Sequence, residues 1–246
     1  MSGLLGLPVQ ASAQAAGLDR ITLLVHALMA VLFVGWSVYF LYVLVRFRRR
    51  RHPQADYRGA RSHWSTWTEI GVALVELLLL AAFSIPAWAS RVNGAPASGA
   101  LVVRITAQQF SWTIHYAGAD GEFGRSDPAL VGPDNPAGLD RHDPHAADDV
   151  VMINDLHLPL GRPVVVQLTS RDVIHSFGVP AMRVKQDAIP GMTVPVWFTP
   201  TLEGTYDIAC SQLCGLGHYR MRAIVTVVGE RAFEAWVSRR RGLLQP

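Results

Sequence analysis

The sequence predicts two membrane-spanning helices, an all-β domain after them, and a short helix near the C-terminus. Three observations lead to this fold class: two long apolar segments within the first 90 residues, short β-branched and aromatic runs after residue 100, and an amphipathic pattern close to the end. Half of the 246 residues are hydrophobic and 17% are charged, which is on the membrane-protein side of the average. The length allows one sizeable domain in addition to the anchor.

The first predicted span covers Ile21–Val45, which contains no Asp, Glu, Lys or Arg. At about 1.5 Å per residue, a helix of this length crosses a hydrocarbon core of roughly 30 Å. The alternative is a buried helix of a soluble core, but such helices rarely need so long an uncharged segment.

The second predicted span runs from about Trp67 to Trp88, with a tryptophan at each membrane interface. It contains Glu69 and Glu76. A carboxylate inside a membrane is costly, so we expect Glu76 to face a protein partner or a water path. Glu69 fits such a path or a position at the lipid headgroups.

The loop between the spans, residues 46–66, contains seven arginines and a single acid, Asp56. Such an excess places the loop in the cytoplasm and both termini outside. The net charge of +3 is therefore mainly a topology signal and indicates no nucleic-acid partner. We assign residues 21–90 to the two-helix anchor and residues 1–20 to an external N-terminal segment, of the kind that a processed signal leaves.

We assign the external domain to residues 101–228, where β-branched and aromatic runs alternate with Gly, Pro and Asp. This pattern is typical of an antiparallel sandwich or barrel. The predicted strands are Leu101–Ile105, Phe110–Tyr116, Val150–Ile153, Pro163–Leu168, Val194–Phe198, Gly204–Ile208 and Arg222–Val228. Residues 229–246 are predicted to form a C-terminal helix and tail, with Phe233, Trp236 and Val237 on one helical face.

Residues 118–149 interrupt the strand pattern with many Gly, Pro and Asp residues. They include eight acids, two arginines, His142 and His145. A loop this long inside a compact domain is often functional. We predict either a solvated insertion or a docking surface for a partner, and a cation site has weaker support.

The two cysteines of the chain, Cys210 and Cys214, are four residues apart and are followed by His218 and Met221. Thiolate and imidazole ligands suit copper and zinc, and a thioether favours copper. With His175 as a second imidazole, one cysteine would complete a mononuclear copper site. The second thiolate on the same tight loop allows two metal ions to be bridged.

Formal charge favours a dinuclear centre as an electron relay. Two coppers that share one oxidising equivalent carry three positive charges, and two thiolates cancel two of them. The net charge of the copper–thiolate core is then +1 in the oxidised state and zero in the reduced state. Such a small change limits solvent reorganisation when an electron arrives. No open coordination position is evident, so electron transfer is favoured over substrate binding.

Two other interpretations of these residues stay open. External cysteines commonly form a disulfide. Tetrahedral zinc could be held by Cys210, Cys214, His218 and His175. Neither interpretation uses Met221, and the position of His175 in a separate segment also favours copper.

Three segments carry a resemblance to a known family: Asp172-Val-Ile-His-Ser-Phe177, Lys185-Gln-Asp-Ala-Ile-Pro-Gly191, and the run from Cys210 to Met221. Together with two spans ahead of a β domain, they make residues 18–228 resemble cytochrome c oxidase subunit II of the haem–copper oxidase superfamily. The resemblance implies a cupredoxin-like Greek-key domain with a dinuclear A copper centre of two copper ions. The implied metal ligands are His175, Cys210, the backbone carbonyl of Gln212, Cys214, His218 and Met221. Asp172 is implied to orient His175.

The resemblance also implies a role in the respiratory chain. Electrons would come from a cytochrome c and pass to haem in subunit I, where oxygen reduction is coupled to proton pumping, with subunit III as a further partner. The chain would be an oxidoreductase subunit that is not catalytic alone. It would lie in a bacterial inner membrane with the copper domain and both termini on the periplasmic side. Quinol-oxidising members lack the copper ligands, so a cytochrome donor is implied.

Three departures from the family pattern concern function. Gln212 replaces a glutamate whose carboxylate binds magnesium at the subunit I interface, and a neutral amide is a poorer ligand for that ion. Phe110 occupies the usual electron-entry tryptophan position; Phe110 and Trp112 are the entry candidates, and the alternative for both is packing in the barrel. The family carboxylate near the start of the second span falls near Trp64, which leaves Glu69, with Glu76, as proton-path candidates.

Arg171 weakens the electrostatic attraction expected for the electron donor, because it stands where the family often has an acid that attracts a basic cytochrome c. The acidic insertion 118–149 could substitute for that acid, or the donor could be a membrane-held haem protein. The Gln108–Phe110 patch and the insertion resemble oxidases associated with alternative complex III, which implies a supercomplex partner.

A second class of function is a membrane-tethered copper carrier, or a structural subunit that holds a disulfide. A carrier needs exchangeable copper and an open or methionine-rich site. The closed ligand set favours electron transfer instead.

Overall fold

The computed structural model describes residues 6–54, 57–58, 62–92, 94 and 98–241. The chain forms two compact units. One is the helical segment Gly17–Gly94, and the other combines the N-terminal residues to Ala16 with the chain from Ala95 onward. Asp56 and Arg61 of the Arg-rich loop, and the predicted tail beyond Arg241, lie outside the described residues.

Both predicted spans are helices. The first is α1, Ala15–Arg46, and the second consists of α2 (Trp64–Leu79), a π turn (Leu80–Ser84) and α3 (Ile85–Val92). In the described part of the chain these are the two helices long and apolar enough to cross a membrane. Their apolar windows are exposed, which argues against the alternative of a buried soluble helix.

The π turn in the second span was not predicted. It carries a hydrogen bond from the Ile85 amide to the Leu80 carbonyl and lies directly before Pro86. Proline has no amide hydrogen and its ring collides with the carbonyl four residues earlier. A widened turn ahead of Pro86 lets the helix continue without a regular bond at that point.

The β domain contains two five-stranded sheets, with strand orders β3-β2-β1-β5-β8 and β4-β10-β9-β6-β7. The strands are β1 Leu101–Gln108, β2 Ser111–Tyr116, β3 Val150–Ile153, β4 Asp155–Pro159, β5 Val164–Ser170, β6 His175–Val179, β7 Val184–Ala188, β8 Val194–Phe198, β9 Gly204–Cys210 and β10 Arg222–Val228. The prediction of an all-β domain after two helices is therefore confirmed.

The core of this domain follows from alternation along the strands. On β1, Val103, Ile105 and Ala107 are buried while the residues between them are partly exposed. Successive side chains of a strand point to opposite faces, so one face of each sheet can be apolar. The buried residues of both sheets form one hydrophobic cluster, which includes Trp112 and Phe177.

Most strand pairs are antiparallel, as the predicted antiparallel sandwich or barrel requires, but two pairs are parallel. Strand β1 pairs in parallel with β5, and β10 pairs in parallel with β4. Parallel neighbours need a long connection, and the chain between β2 and β5 provides one for the first pair.

Three strands were missed by sequence reasoning. Strand β6 is buried at every position and shows no polar alternation, whereas β7 is largely polar, with the sequence Val-Lys-Gln-Asp-Ala. Strand β4 is short and begins immediately after β3. Strands β6 and β7 lack the period-two pattern on which strand prediction depends, whereas β4 has it over only five residues, Asp-Leu-His-Leu-Pro.

The C-terminal helix α4, Glu230–Arg241, agrees with the helix predicted within residues 229–246. Phe233, Trp236 and Val237 are its buried residues. The Trp236 ring stacks on His157 with ring centroids 4.1 Å apart. These contacts fasten the helix to the β domain.

The N-terminal segment pairs with the β domain. The Ala11 amide donates to the Ala181 carbonyl at 2.9 Å, and the Thr201 amide donates to the Ala11 carbonyl at 2.9 Å. The Ser12 hydroxyl donates to the Met182 carbonyl at 2.6 Å. Ala11 is fully buried. We call residues 8–15 the N-terminal strap; it belongs to the same compact unit as the β domain.

We expect Ala11→Glu to destabilise the β domain by about 3 kcal/mol, because it forces an unpaired charge into a fully buried site. The control is Val9→Glu, since the Val9 side chain is 54% exposed. Urea unfolding of the full chain in detergent, followed by tryptophan fluorescence, measures both. Equal stability of the two variants would show that the strap is not an integral part of the domain.

Candidate metal centre

The potential metal ligands converge because three neighbouring strands have one end at the same edge of their sheet: β9 ends there, and β6 and β10 begin there. Strand β9 ends at Cys210 and β10 begins at Arg222, and the two strands pair in an antiparallel register. The connection between them carries Cys214, His218 and Met221. Strand β6 pairs with the other side of β9, with Phe177 opposite Cys210, so His175 begins its strand beside the same connection.

The six predicted donor groups lie in one cluster. The two sulphur atoms are 3.7 Å apart. The Nδ1 atom of His175 is 4.0 Å from Cys210 Sγ, and Nδ1 of His218 is 3.5 Å from Cys214 Sγ. The Met221 sulphur is 3.7 Å from Cys214 Sγ, and the backbone oxygen of Gln212 is 3.1 Å from Cys210 Sγ.

Burial separates this cluster from a surface site. His175 is fully buried, Cys214 is 4% exposed and Met221 is 2% exposed. Solvent therefore has little access to the space between the sulphur atoms. Among the described His, Cys, Asp and Glu residues, His175, Cys210 and Cys214 form the group that could hold a metal ion. The weaker prediction of a cation site in residues 118–149 gains no such cluster.

The two cysteines are free thiols. Their separation of 3.7 Å is well beyond the roughly 2.05 Å of a disulfide bond. This geometry disfavours the disulfide interpretation. A zinc ion could use the thiols and imidazoles, but it would leave the nearby thioether of Met221 without a role.

Asp172 fixes the orientation of His175. Its Oδ1 atom lies 2.8 Å from His175 Nε2, which leaves Nδ1 to face the cysteines. The other carboxylate oxygen accepts a hydrogen bond from the Gln109 amide at 2.7 Å. Partial burial alone would raise the pKa of Asp172, but its bonds with His175, Gln109 and Val173 outweigh burial and lower that pKa. A charged carboxylate therefore holds the ring.

Burial raises the pKa of the Cys214 thiol to about 11, and the adjacent Cys210 adds to the effect. In the metal-free protein the thiol is therefore protonated at neutral pH. A metal ion that binds as a thiolate ligand must displace this proton.

Gln109 was missed as a site residue, although the sequence pointed to its neighbour Phe110. The Gln109 side chain donates from Nε2 to the Cys214 carbonyl at 2.7 Å, while its backbone amide binds Asp172. It therefore links the Asp172–His175 side of the cluster to the cysteine loop. Its position between two predicted strands, directly before Phe110, gave no signal of this role.

Phe110 and Trp112 occupy different environments. The Phe110 ring is half-buried and packs against Gly217, where an added Cβ would come within 2.3 Å of the ring. Trp112 is fully buried in the core, with its ring centroid 6.2 Å from that of His175. Of the two electron-entry candidates, Phe110 is therefore the one with a surface that a partner could touch.

The other predicted residues lie elsewhere. The Gln212 side chain is exposed, although its backbone oxygen belongs to the cluster. Glu69 and Glu76 lie on α2 in the helical unit and are exposed in the isolated chain. Their assignment to a proton path stays a prediction.

Comparison with known proteins points to one family. The family model "Cytochrome C oxidase subunit II, periplasmic domain" matches residues 101–228. The "Alternative cytochrome c oxidase subunit 2" of Bradyrhizobium diazoefficiens is 40% identical over 210 residues, which cover 85% of this chain and 75% of the relative. The "Cytochrome c oxidase subunit 2" of Cereibacter sphaeroides is 30% identical over 228 residues, covering 87% of this chain and 73% of that one.

Among solved structures, the periplasmic domain of subunit II of cytochrome oxidase from Bradyrhizobium japonicum is similar to this chain. It is 27% identical, with a TM-score of 0.44, and the match covers 61% of this chain and all of that domain.

We expect Gly217→Ala to destabilise the metal-free domain by about 1–3 kcal/mol, because the new methyl group overlaps the Phe110 ring. The control is Gly132→Ala, where nothing lies within 4 Å of the new methyl group. Adding Phe110→Ala should remove much of the loss, so a double-mutant cycle measured by urea unfolding should be strongly non-additive. Additive effects would contradict the packing of Phe110 on the cysteine loop.

Proposed function

Because the chain belongs to the cytochrome c oxidase subunit II family, we propose that it is the electron-accepting subunit of a terminal oxidase. It receives electrons from a cytochrome at a dinuclear copper centre and delivers them to haem in subunit I, where oxygen reduction is coupled to proton pumping. The observation that carries the proposal is the convergence of two thiols, two imidazoles, a thioether and a carbonyl, five of them from residues 210–221 and one imidazole from His175 on β6.

The donor set fits copper. Two sulphur atoms 3.7 Å apart can each contact two ions. The two imidazoles, the thioether and the Gln212 carbonyl then supply two further donors for each ion. Thiolate, imidazole and thioether together are the ligands of copper electron-transfer sites. We therefore propose two copper ions, held by His175, Cys210, Gln212, Cys214, His218 and Met221.

Bound copper would supply a one-electron redox couple, and the protein residues determine how firmly the ions are held. Asp172 keeps His175 in one orientation, and Gln109 fastens the cysteine loop through the Cys214 carbonyl. Burial of His175 and Met221 excludes water from the cluster. A rigid, dry ligand set needs little reorganisation when charge changes, which suits electron transfer. Phe110, which covers the loop, is the proposed point of electron entry.

The same rigidity weighs against a copper carrier. A carrier must release its ion, and exchange requires an open or mobile ligand set. Here His175, the two cysteines and Met221 are buried, and the cluster is fastened from two sides, by Asp172 and by Gln109. The geometry of the free thiols also weighs against a structural subunit that holds a disulfide.

We further propose a bacterial inner-membrane location, with the loop at residues 46–66 in the cytoplasm and the β domain in the periplasm. The N-terminal strap supports this topology. Because it is hydrogen-bonded to the β domain, the strap and the domain must lie on the same side of the membrane. Two membrane crossings between them meet that condition.

The electron donor is proposed to dock on the acidic insertion. Arg171, at a position where an acid often attracts the donor, instead binds the Gln108 side chain at 2.8 Å and the carbonyl of Pro136 within the insertion. Glu122 and Asp134 are exposed on that insertion. A basic haem protein fits such a surface: a cytochrome c, a membrane-held cytochrome, or a haem subunit of alternative complex III.

The remaining points concern magnesium, the proton path and subunit III. Gln212 offers only a neutral amide, so a magnesium ion at the subunit I interface is not part of the proposal. Glu69 and Glu76 are proposed to serve a proton path, because a carboxylate within a span is otherwise costly. Subunit III is proposed as a partner through the family alone.

We expect the full chain, purified in detergent and loaded with copper, to hold two copper ions that share one unpaired electron. Metal analysis and electron spin resonance measure both properties. Met221→Leu should alter the spectrum because it removes a ligand, whereas Met192→Leu should not, since the Met192 side chain is 55% exposed. One copper per chain, preferential zinc binding, or a metal-free disulfide would refute the dinuclear assignment.

We expect Glu122→Lys to raise the KM of the assembled oxidase for a basic cytochrome c by about three- to tenfold at low ionic strength. The kcat should change little, because the copper ligands are untouched, and salt should reduce the effect. Glu203→Lys, an equal change at an exposed position outside the insertion, is the control. An equal rise in both variants would mean that net charge, not the insertion, attracts the donor.

A further inference from the structure

The Arg-rich loop begins with a closed turn at the end of the first span. Helix α1 ends at Arg46. The amides of Arg51 and His52 both donate to the Arg48 carbonyl, at 2.8 and 3.1 Å. The chain therefore turns back directly after the helix instead of extending away from it. We call residues 47–52 the arginine turn.

The side chain of His52 holds this turn against the end of the helix. The Arg46 guanidinium donates a hydrogen bond to His52 Nε2. The His52 ring lies beside the Phe47 ring, with centroids 5.1 Å apart. The Arg46 guanidinium is also over the Phe47 ring, 5.5 Å from its centroid. These contacts fasten the far end of the turn to the last residues of the span.

The arginine turn carries positive charge that its surroundings do not neutralise. Residues 48–51 are four consecutive arginines, and all four are exposed. None of them forms a salt bridge with another residue of the described chain. The loop at residues 46–66 contains a single acid, Asp56. Pairing with that acid could neutralise only one of the four charges.

The proposed membrane insertion places this turn at the depth of the lipid headgroups. Val45 is the last apolar residue of the first span, so the turn begins where the hydrocarbon core ends. Trp64 and Trp67, which begin the second span from the same side, are 78% and 67% exposed. Tryptophan is enriched at this level of a membrane. Positive charge anywhere in a short loop sets the orientation of the spans, so orientation alone does not require the arginines to be held in a turn.

We propose that the arginine turn binds the anionic headgroups of membrane phospholipids. A cluster of arginines next to a span attracts anionic lipid, and guanidinium groups bind phosphate oxygens with directed, charge-assisted hydrogen bonds. A zwitterionic headgroup also has a phosphate, but its ammonium group cancels the net charge. The inference rests on the proposed membrane insertion of α1 and is independent of copper and of electron transfer.

The test uses the full chain, purified in a mild detergent without copper. Phosphatidylglycerol or phosphatidylcholine with the same acyl chains is added in increasing amounts. Native mass spectrometry counts the lipids that the folded protein retains. At low ionic strength, we expect phosphatidylglycerol to be retained about tenfold more strongly than phosphatidylcholine, and salt should reduce the difference.

Two sets of variants assign the preference to the turn. The first set removes its four charges together and should lower phosphatidylglycerol retention to the level of phosphatidylcholine: Arg48→Gln, Arg49→Gln, Arg50→Gln and Arg51→Gln. The matched control removes four exposed arginines outside the anchor and should leave the preference unchanged: Arg141→Gln, Arg222→Gln, Arg231→Gln and Arg239→Gln.

A further pair of variants tests the geometry of the turn at constant arginine content. His52→Ala removes the contacts with Arg46 and Phe47 and should weaken phosphatidylglycerol retention several-fold. The control is His63→Ala, which should have no effect. His63 is exposed in the same loop, and its side chain makes no capping hydrogen bond to α2.

The contrary outcomes can be told apart. Equal retention of the two lipids by the wild type would overturn the lipid inference and leave the spans and the metal centre untouched. Equal losses in the two four-arginine variants would mean that net charge, not the arginine turn, attracts the lipid. Full retention in His52→Ala would overturn the role of the turn. A chain that does not co-float with phosphatidylcholine vesicles would overturn the membrane insertion itself, and the lipid inference with it.

Discussion

Two buried sulphur atoms held 3.7 Å apart without a bond between them are the constraint on which the rest of the site depends. Neighbouring thiols on a flexible loop would separate or oxidise. Here the paired strands β9 and β10 fix the two ends of the loop. Gln109 holds its middle, and the Phe110 ring lies against Gly217. The glycine is required because any side chain there would displace the ring.

The donor set could be predicted from the sequence because most of it is local. Five of its six members lie within residues 210–221, and the types and spacing of Cys210, Cys214, His218 and Met221 favour copper. His175 was found through the motif around it. Gln109 could not be found in the same way, because its two hydrogen bonds reach residues 63 and 105 positions away. Contacts at such separations leave no pattern in a single sequence.

The fold likewise has features that local sequence patterns predict and features that depend on contacts between distant residues. Both spans, seven strands and the last helix follow from hydropathy and periodicity, and the structure contains them. Strand β6 has no exposed polar face, so alternation of polar and apolar residues did not reveal it. The parallel pairing of β1 with β5 depends on the path of the long connection between them, which the spacing of strands along the sequence does not determine. The N-terminal strap consists of small residues without periodicity, and only its partners at residues 181–183 and 199–201 make it part of the domain. Arg171 likewise has no evident role until the carbonyl of Pro136 lies beside it.

The strap has a consequence for biogenesis. Ser12 emerges from the ribosome early, yet its partner Met182 is 170 residues later in the chain. In the proposed topology the strap must cross the membrane first and wait until most of the β domain has been exported. Closure of the strap therefore comes late in export, and a chain whose N-terminus stays in the cytoplasm cannot complete its domain. Correct insertion of the first helix thus becomes a condition for completing the β domain that carries the metal-donor set.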